Sequence, residues 1–231
     1  MKYSAPLKHI VQRLTASQKP NTSRHALKIH GHVKALANAV ESMEAIATNR
    51  DPTQTEAAHE VRIAKAARQL MQHGEKMKAQ LHDGMAEGLG DINGEIRTKN
   101  NFSAHPVYGP EVRHALRLMT DQQRHDVVRQ ALDKGDGQTM AAIMEAPEVT
   151  TGLDPKQMTA YREAFEKKHT PELVEQREEL YESFDAGLVA LRNADNAARE
   201  WLKPGRLREI EEAQERHSNA TRSFESSVQA V

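Results

Sequence analysis

Twelve histidines are the side chains best suited to chemistry in this 231-residue chain. His25 and His32 stand two helical turns apart on one face, and His30 and His32 flank Gly31. A zinc site would still need a third ligand in suitable geometry. His59-Glu60 opens like a zincin motif, but Ile63 occupies the place of the second histidine. Asp91, Asn93 and Gly94 suggest a calcium loop; Ile96 stands where the loop glycine belongs, and no glutamate closes the loop at its twelfth position. Lys134-Gly135-Asp136-Gly137 lacks the glycine-lysine-Ser/Thr ending of a phosphate loop and reads as a turn between helices. The histidines are therefore expected on the surfaces of amphipathic helices, with no metal and no cofactor.

Carboxylates are dense in one run: Glu172, Glu175, Glu178, Glu179 and Glu182. An acid–base pair needs a cleft that separates the two pKa values, and nothing around this run supplies one. A solvated acidic face is the expectation, open to a basic partner. Basic residues cluster at the other end. Lys2, Lys8, Arg13, Lys19, Arg24, Lys28 and Lys34 all precede the first acid, Glu41. The first forty residues carry +7 and the remainder −8, within a net charge of −1. Such asymmetry suits a basic arm that meets an acidic protein surface, another copy, or phosphate. Tyr3 is the arm's one aromatic, so stacking on single-stranded bases is not supported. A weak backbone contact to nucleic acid remains the alternative use.

There is no Cys, which removes disulfides, thiolate catalysis and Cys-ligated zinc and is compatible with a reducing cytoplasm. No run is apolar enough to span a membrane. Hydrophobic residues make up 38% of the chain and aromatics 4%, too little bulk for a thick core. Thin layers of helices with Ala, Leu and Met seams fit better, and no strand is evident.

The elements follow from periodicity and punctuation. Residues 1–20 read as a basic arm with one short helix, stopped near Lys19-Pro20. Asn21, Thr22 or Ser23 can cap a helix to about Asn49, with Leu27, Ile29, Val33, Leu36, Val40, Met43 and Ile46 as its stripe. Asp51-Pro52 opens a third, long helix, making 21–97 a helical hairpin. Gly84, Gly88, Gly90 and Gly94 each cost about 1 kcal/mol relative to Ala, which predicts fraying or a break between Gly84 and Gly94. Residues 98–153 form a loop followed by short helices. Thr120 and Gln123 make a capping box; Gly135 ends that helix; Asp136 or Gly137 starts the next; Pro147 ends it. Residues 154–231 form a long jointed helix and a polar C-terminal helix. Asp154-Pro155 starts the first, and the stripe from Met158 through Phe165, Leu173, Leu180 and Leu191 to Leu202 stays in phase. Thr170-Pro171 predicts a break or sharp kink within it. Lys203-Pro204-Gly205 reads as a turn before the last helix, whose few apolar residues include Leu207, Ile210, Ala213, Phe224 and Val228.

Residues 116–172 carry a resemblance. Leu118-Met119-Thr120, the Ala131-Leu132 helix ending in Gly135-Asp136, Thr139 to Met144 with Ala146-Pro147, Thr151-Gly152-Leu153, Tyr161, and His169 with Pro171-Glu172 resemble a segment of helical proteins of tailed bacteriophages and prophages. The resemblance covers about a quarter of the chain. It implies a virion-associated or assembly protein, found in the host cytoplasm during assembly and then in the virion, and it transfers no catalytic residue.

The sequence thus predicts an all-α protein of long antiparallel helices, a hairpin or coiled-coil-like bundle, with a small insert of short helices. It predicts a non-enzymatic, homo-oligomeric structural role with other virion proteins as partners and no small-molecule substrate.

Overall fold

The computed structural model describes residues 2–103, 105–145, 151–202 and 204–229. Among them the fold is all-α, without a strand. In chain order the helices are α1 (Ser4–Ala16), α2 (Arg24–Thr48), α3 (Glu56–Lys99), α4 (Tyr108–Leu118), α5 (Asp121–Lys134), α6 (Gly137–Met144), α7 (Pro155–His169), α8 (Pro171–Leu202) and α9 (Pro204–Gln229). Two compact units arise from segments far apart in sequence: 1–19, 26–84 and 183–231 in the first, 20–25 and 85–182 in the second. This division cuts across the linear segments 1–20, 21–97, 98–153 and 154–231.

The first unit is a helical layer with a narrow core. Leu7, Ile10 and Leu14 of α1 are buried, as are Ile29, Val33, Leu36, Val40 and Met43 of α2. The two helices run in opposite directions, since Ser4 meets Glu44, Lys8 meets Glu41, and Gln18 meets His30. Within this unit α3 and α8 are likewise opposed: Gly74 faces Leu191, and His82 stacks edge-on against Phe184 with ring centroids 5.2 Å apart. The α8 side of that seam is Ala186, Ala190, Ala194, Ala197 and Ala198, all buried. Small residues let helices approach closely, and interdigitated packing then needs few aromatics.

α1 is thus packed within the first unit. The spacing of Leu7, Ile10 and Leu14 gives α1 an apolar face, and that face is fully used.

The second unit holds the short helices. α6 packs against α4, α5 and α7. Their core is Phe102, Leu116, Val128, Met140, Ile143, Leu153 and Phe165, with Phe102 edge-on to Phe165 at 5.2 Å. The predicted capping box at Thr120 and Gln123 forms, and Gly135 closes α5 in the left-handed region at φ 71°. Asp136 caps α6 through the amide of Thr139. The backbone of Asn100 crosses directly over the first residue of α6, where a Cβ on Gly137 would lie 1.6 Å from the Asn100 carbonyl oxygen, so only glycine fits. Asp154 caps α7 in a second box with Gln157, and Pro155 takes the first helical position. The predicted end of α6 at Pro147 lies outside the described residues, as does Lys203 of the turn before α9.

Three expectations about helix boundaries are decided differently or more sharply. The break at Thr170-Pro171 is real: Thr170 leaves helical geometry at φ −138°, ψ 53°, and its carbonyl then accepts from the amides of Leu173 and Val174 to start α8. The third helix starts at Glu56 and not at Asp51-Pro52, because the Asp51 carboxylate is taken by the amide and hydroxyl of Thr53, and Thr55 caps Ala58 instead. The expected fraying between Gly84 and Gly94 does not occur, and α3 continues to Lys99. Gly88 explains part of this. A Cβ there would lie 2.7 Å from Leu180 and 2.9 Å from the Cβ of His25, so the glycine is the contact surface for two neighbouring segments. Packing offsets its poor helix propensity.

At Gly84 and Gly90 an added methyl group would stand in open space, with nothing within 4 Å. Alanine at Gly84 or Gly90 should stabilise by about 0.5–1 kcal/mol, whereas Gly88→Ala should destabilise by about 1–3 kcal/mol through overpacking. Chemical denaturation of the three variants checks the opposite signs.

Candidate functional site

The residues singled out for electrostatic docking can be placed one by one. In the first unit Lys2 lies 3.5 Å from Glu200, and Lys8 lies 2.6 Å from Glu41. Arg13, Lys19, Lys28 and Lys34 are exposed. Arg24 belongs to the second unit, where it reaches Asp91 at 2.7 Å. In that unit Glu172 pairs with Lys99 at 3.2 Å, and the half-buried Glu179 accepts from the Thr22 hydroxyl at 2.7 Å. Glu175, Glu178 and Glu182 lie along the same run of α8, at least partly open to solvent. The carboxyl of Glu172 is held below its ordinary value by its own amide at the start of α8 and by Lys99. The basic residues are therefore partly committed within the fold, and the acidic run is part docking point, part solvated face.

The same acid-free N-terminus creates a need that the charge pattern does not reveal. α1 has no acidic residue in its first turn, and Tyr3 at its N-cap supplies no side-chain cap. Glu44 of α2 fills that role. Its carboxylate, on a residue 6% exposed, accepts from the amide of Tyr3 at 2.6 Å, the amide of Ser4 at 3.2 Å and the Ser4 hydroxyl. It thus satisfies orphan donors at the positive end of the helix. Burial pushes the Glu44 carboxyl up, but the Ser4 hydroxyl and the two amides outweigh it, and the net direction is down. Beside it, Tyr3 packs edge-on against Trp201 with centroids 4.8 Å apart, and its hydroxyl donates to Glu200.

The histidines are not all on the surface as expected. His25, His30 and His59 are buried. Nε2 of His25 lies 2.9 Å from the Asp91 carboxylate. His30 lies 2.9 Å from the Ser183 hydroxyl through Nε2 and 2.9 Å from the Gln18 amide nitrogen through Nδ1. A Ser–His contact invites a nucleophile reading, but a serine nucleophile must be within reach of its substrate. Ser183 is 1% exposed. The trio, buried at His30 and Ser183, is a polar clasp between α2, α8 and the segment after α1.

A second buried charge lies in α7. Glu166, 3% exposed, receives Arg162 at 2.9 Å and Arg177 at 2.7 Å, and Arg177 also donates to Asn93 at 3.0 Å. The four residues tie α7, α8 and α3 together within the second unit. The Arg162–Glu166 spacing of one turn was the only sequence signal.

Among the described residues, no three His, Asp or Glu side chains gather in a metal-binding arrangement. No described helix is long and apolar enough to cross a membrane. Compared with protein-family models, curated proteins and solved structures, the chain matches none.

The depressed carboxyl of Glu44 sets a pH dependence with a definite sign. Its stabilisation is present above the unfolded-state pKa and is lost as pH falls through the lower folded-state value. Glu44→Gln should lower stability at neutral pH by about 1–3 kcal/mol, and the gap to wild type should start to narrow as pH falls below the unfolded-state value, about 4.3, and vanish below the folded-state one. Urea denaturation across pH reads this. In the second unit Arg177→Ala should cost about 1–3 kcal/mol because it strips a buried carboxylate of its better-buried partner. Arg162→Ala, at a half-exposed side chain, should cost under about 1 kcal/mol; the same denaturation assay ranks the two.

Proposed function

We propose that this chain is a non-enzymatic structural protein, a virion or assembly component of a tailed phage, that engages other virion proteins and further copies of itself through helix faces. The observation that carries this reading is α9. From Glu211 to Ser226 every residue is exposed, including Phe224 at 69%. A helix of this length gains little stability alone in water and is stabilised mainly by packing of one face. A long helix offered to solvent with an aromatic on it suits an assembly contact. The phage context is supported by the resemblance of residues 116–172.

The alternative use of the N-terminal basic residues, phosphate contact, has less support. Lys2, Lys8 and Arg24 are engaged by Glu200, Glu41 and Asp91, and each such carboxylate competes with a phosphate for the same cation. The polar groups that could do acid–base work serve as caps and clasps.

The test is mass spectrometry of purified particles from a phage or induced prophage carrying this gene. The expected result is this chain at a fixed ratio to the major capsid protein. Its absence from particles and from assembly intermediates would overturn the reading, and salt-sensitive retention of DNA by the purified protein would favour the alternative.

A further inference from the structure

Within the first unit the ends of α2 and α8 and the starts of α3 and α9 meet around a pocket of about 280 Å³. Its apolar wall is Ala47, Ile63, Leu202 and Leu207, with the indole of Trp201. Small-molecule sites have mostly apolar walls and volumes of roughly 300–1,000 Å³, so this pocket suits a compact ligand with an apolar body. Trp201 is half-buried, and Tyr3 packs against it at close to a right angle, which holds the ring in place.

Three polar side chains complete the wall: Thr48, Glu60 and Arg206. Arg206 is already shared by two carboxylates. Its Nε donates to Glu60 at 3.1 Å and its Nη1 to Glu209 at 3.2 Å. Two carboxylates against one guanidinium leave a negative charge in excess. The Glu60 side chain is the better buried of the two, 22% exposed against 68%. Arg206 takes only its Oε2, and Oε1 has no partner among the described residues. Thr48 donates its one hydroxyl proton to the carbonyl of Glu44 at 2.9 Å, so its oxygen is left to accept. α2 ends at this wall with no basic residue in its last turn, so no side chain there offsets the negative end of its dipole.

These features select the ligand's head group. An open carboxylate oxygen and an excess of negative charge call for a positively charged donor. A partly buried carboxylate also binds such a donor more strongly than one in free solution. Trp201 adds the same preference, because an indole face attracts cations. An anion would meet a guanidinium that two carboxylates already hold.

We propose that this pocket binds a protonated amphipathic amine, with its ammonium group donating to Oε1 of Glu60 and its alkyl or aryl body against Ile63, Leu202 and Trp201. Selectivity follows from the strength of hydrogen bonds between ionised partners, roughly twice that of neutral ones. A neutral molecule of the same shape keeps only the apolar contacts. The site is separate from the exposed face of α9, and its occupancy does not depend on the assembly reading.

Trp201 is the only tryptophan of the chain, so its fluorescence reports from the pocket itself. The full-length protein is titrated at neutral pH with phenethylamine, phenethyl alcohol and hydrocinnamate, which share an aryl body and differ in the charge of the head. A saturable change with the amine is expected, with at least tenfold weaker binding of the alcohol and none of the carboxylate. Calorimetric titration of the same compounds separates binding from quenching. Glu60→Gln keeps the side chain's shape and should weaken the amine at least tenfold while leaving the alcohol unchanged, which also shows that the pocket is intact. Ala47→Leu narrows the pocket from α2 and should weaken amine and alcohol alike. Equal affinity for the three compounds, no saturable binding of the amine, or amine binding indifferent to either substitution would overturn the proposal.

Discussion

A chain with four phenylalanines and one tryptophan has little with which to fill wide gaps between helices, so its helices must lie close together. Closeness requires small side chains at the contacts, because interiors pack at crystal-like density and a void forfeits its dispersion partners. In the first unit α8 supplies this surface with Ala186, Gly187, Ala190, Ala194, Ala197 and Ala198. Leu81 of α3 presses into the space above Gly187, where a Cβ would meet it at 3.0 Å, and Ile29 of α2 stands 3.6 Å away. In the second unit Gly88 takes the corresponding part against Leu180 and His25. The layered fold, the economy of aromatics and the tolerance for glycine in a 44-residue helix are consequences of the same packing condition.

Seams of Ala and Leu are poor at fixing register, since one turn of alanine resembles the next. The buried polar groups supply direction. His30 with Ser183 and Gln18, Glu166 with two arginines, and Glu44 with the amides of α1 each admit one partner geometry. Each has at least one partner from another helix, so sliding a helix by one turn would strip a buried charge or imidazole of that partner, a cost of several kcal/mol. Such arrangements look like catalytic dyads in sequence or distance alone. Burial separates the two: a serine sealed from solvent, as Ser183 is, holds structure together.

Local punctuation was legible because its physics is local. Thr120 with Gln123, Gly135, Asp154-Pro155 and Thr170-Pro171 each act through neighbours within four residues, and the structure places them as the sequence implies. Continuity of α3 through Gly84–Gly94 was not legible, since the residues that stabilise Gly88 come from α2 and α8. The N-terminal charges were legible but their destinations were not: nothing in Lys2 or Lys8 announces Glu200 or Glu41. The same holds for the histidines, whose count was plain but whose burial depends on Ser183 and Asp91. Charge runs report what a surface could offer; only tertiary pairing determines how much of it is left to offer.

The carboxylate that completes α1 has a further consequence for how the chain comes into being. Ser4 and its cap are separated by 40 residues. During synthesis α1 therefore leaves the ribosome before the group that finishes it exists, as a short, basic, acid-free amphipathic segment with its apolar face open. It stays an unfinished helix until α2 has been made through Glu44. The closing of Glu44 over Tyr3 and Ser4 ends that interval.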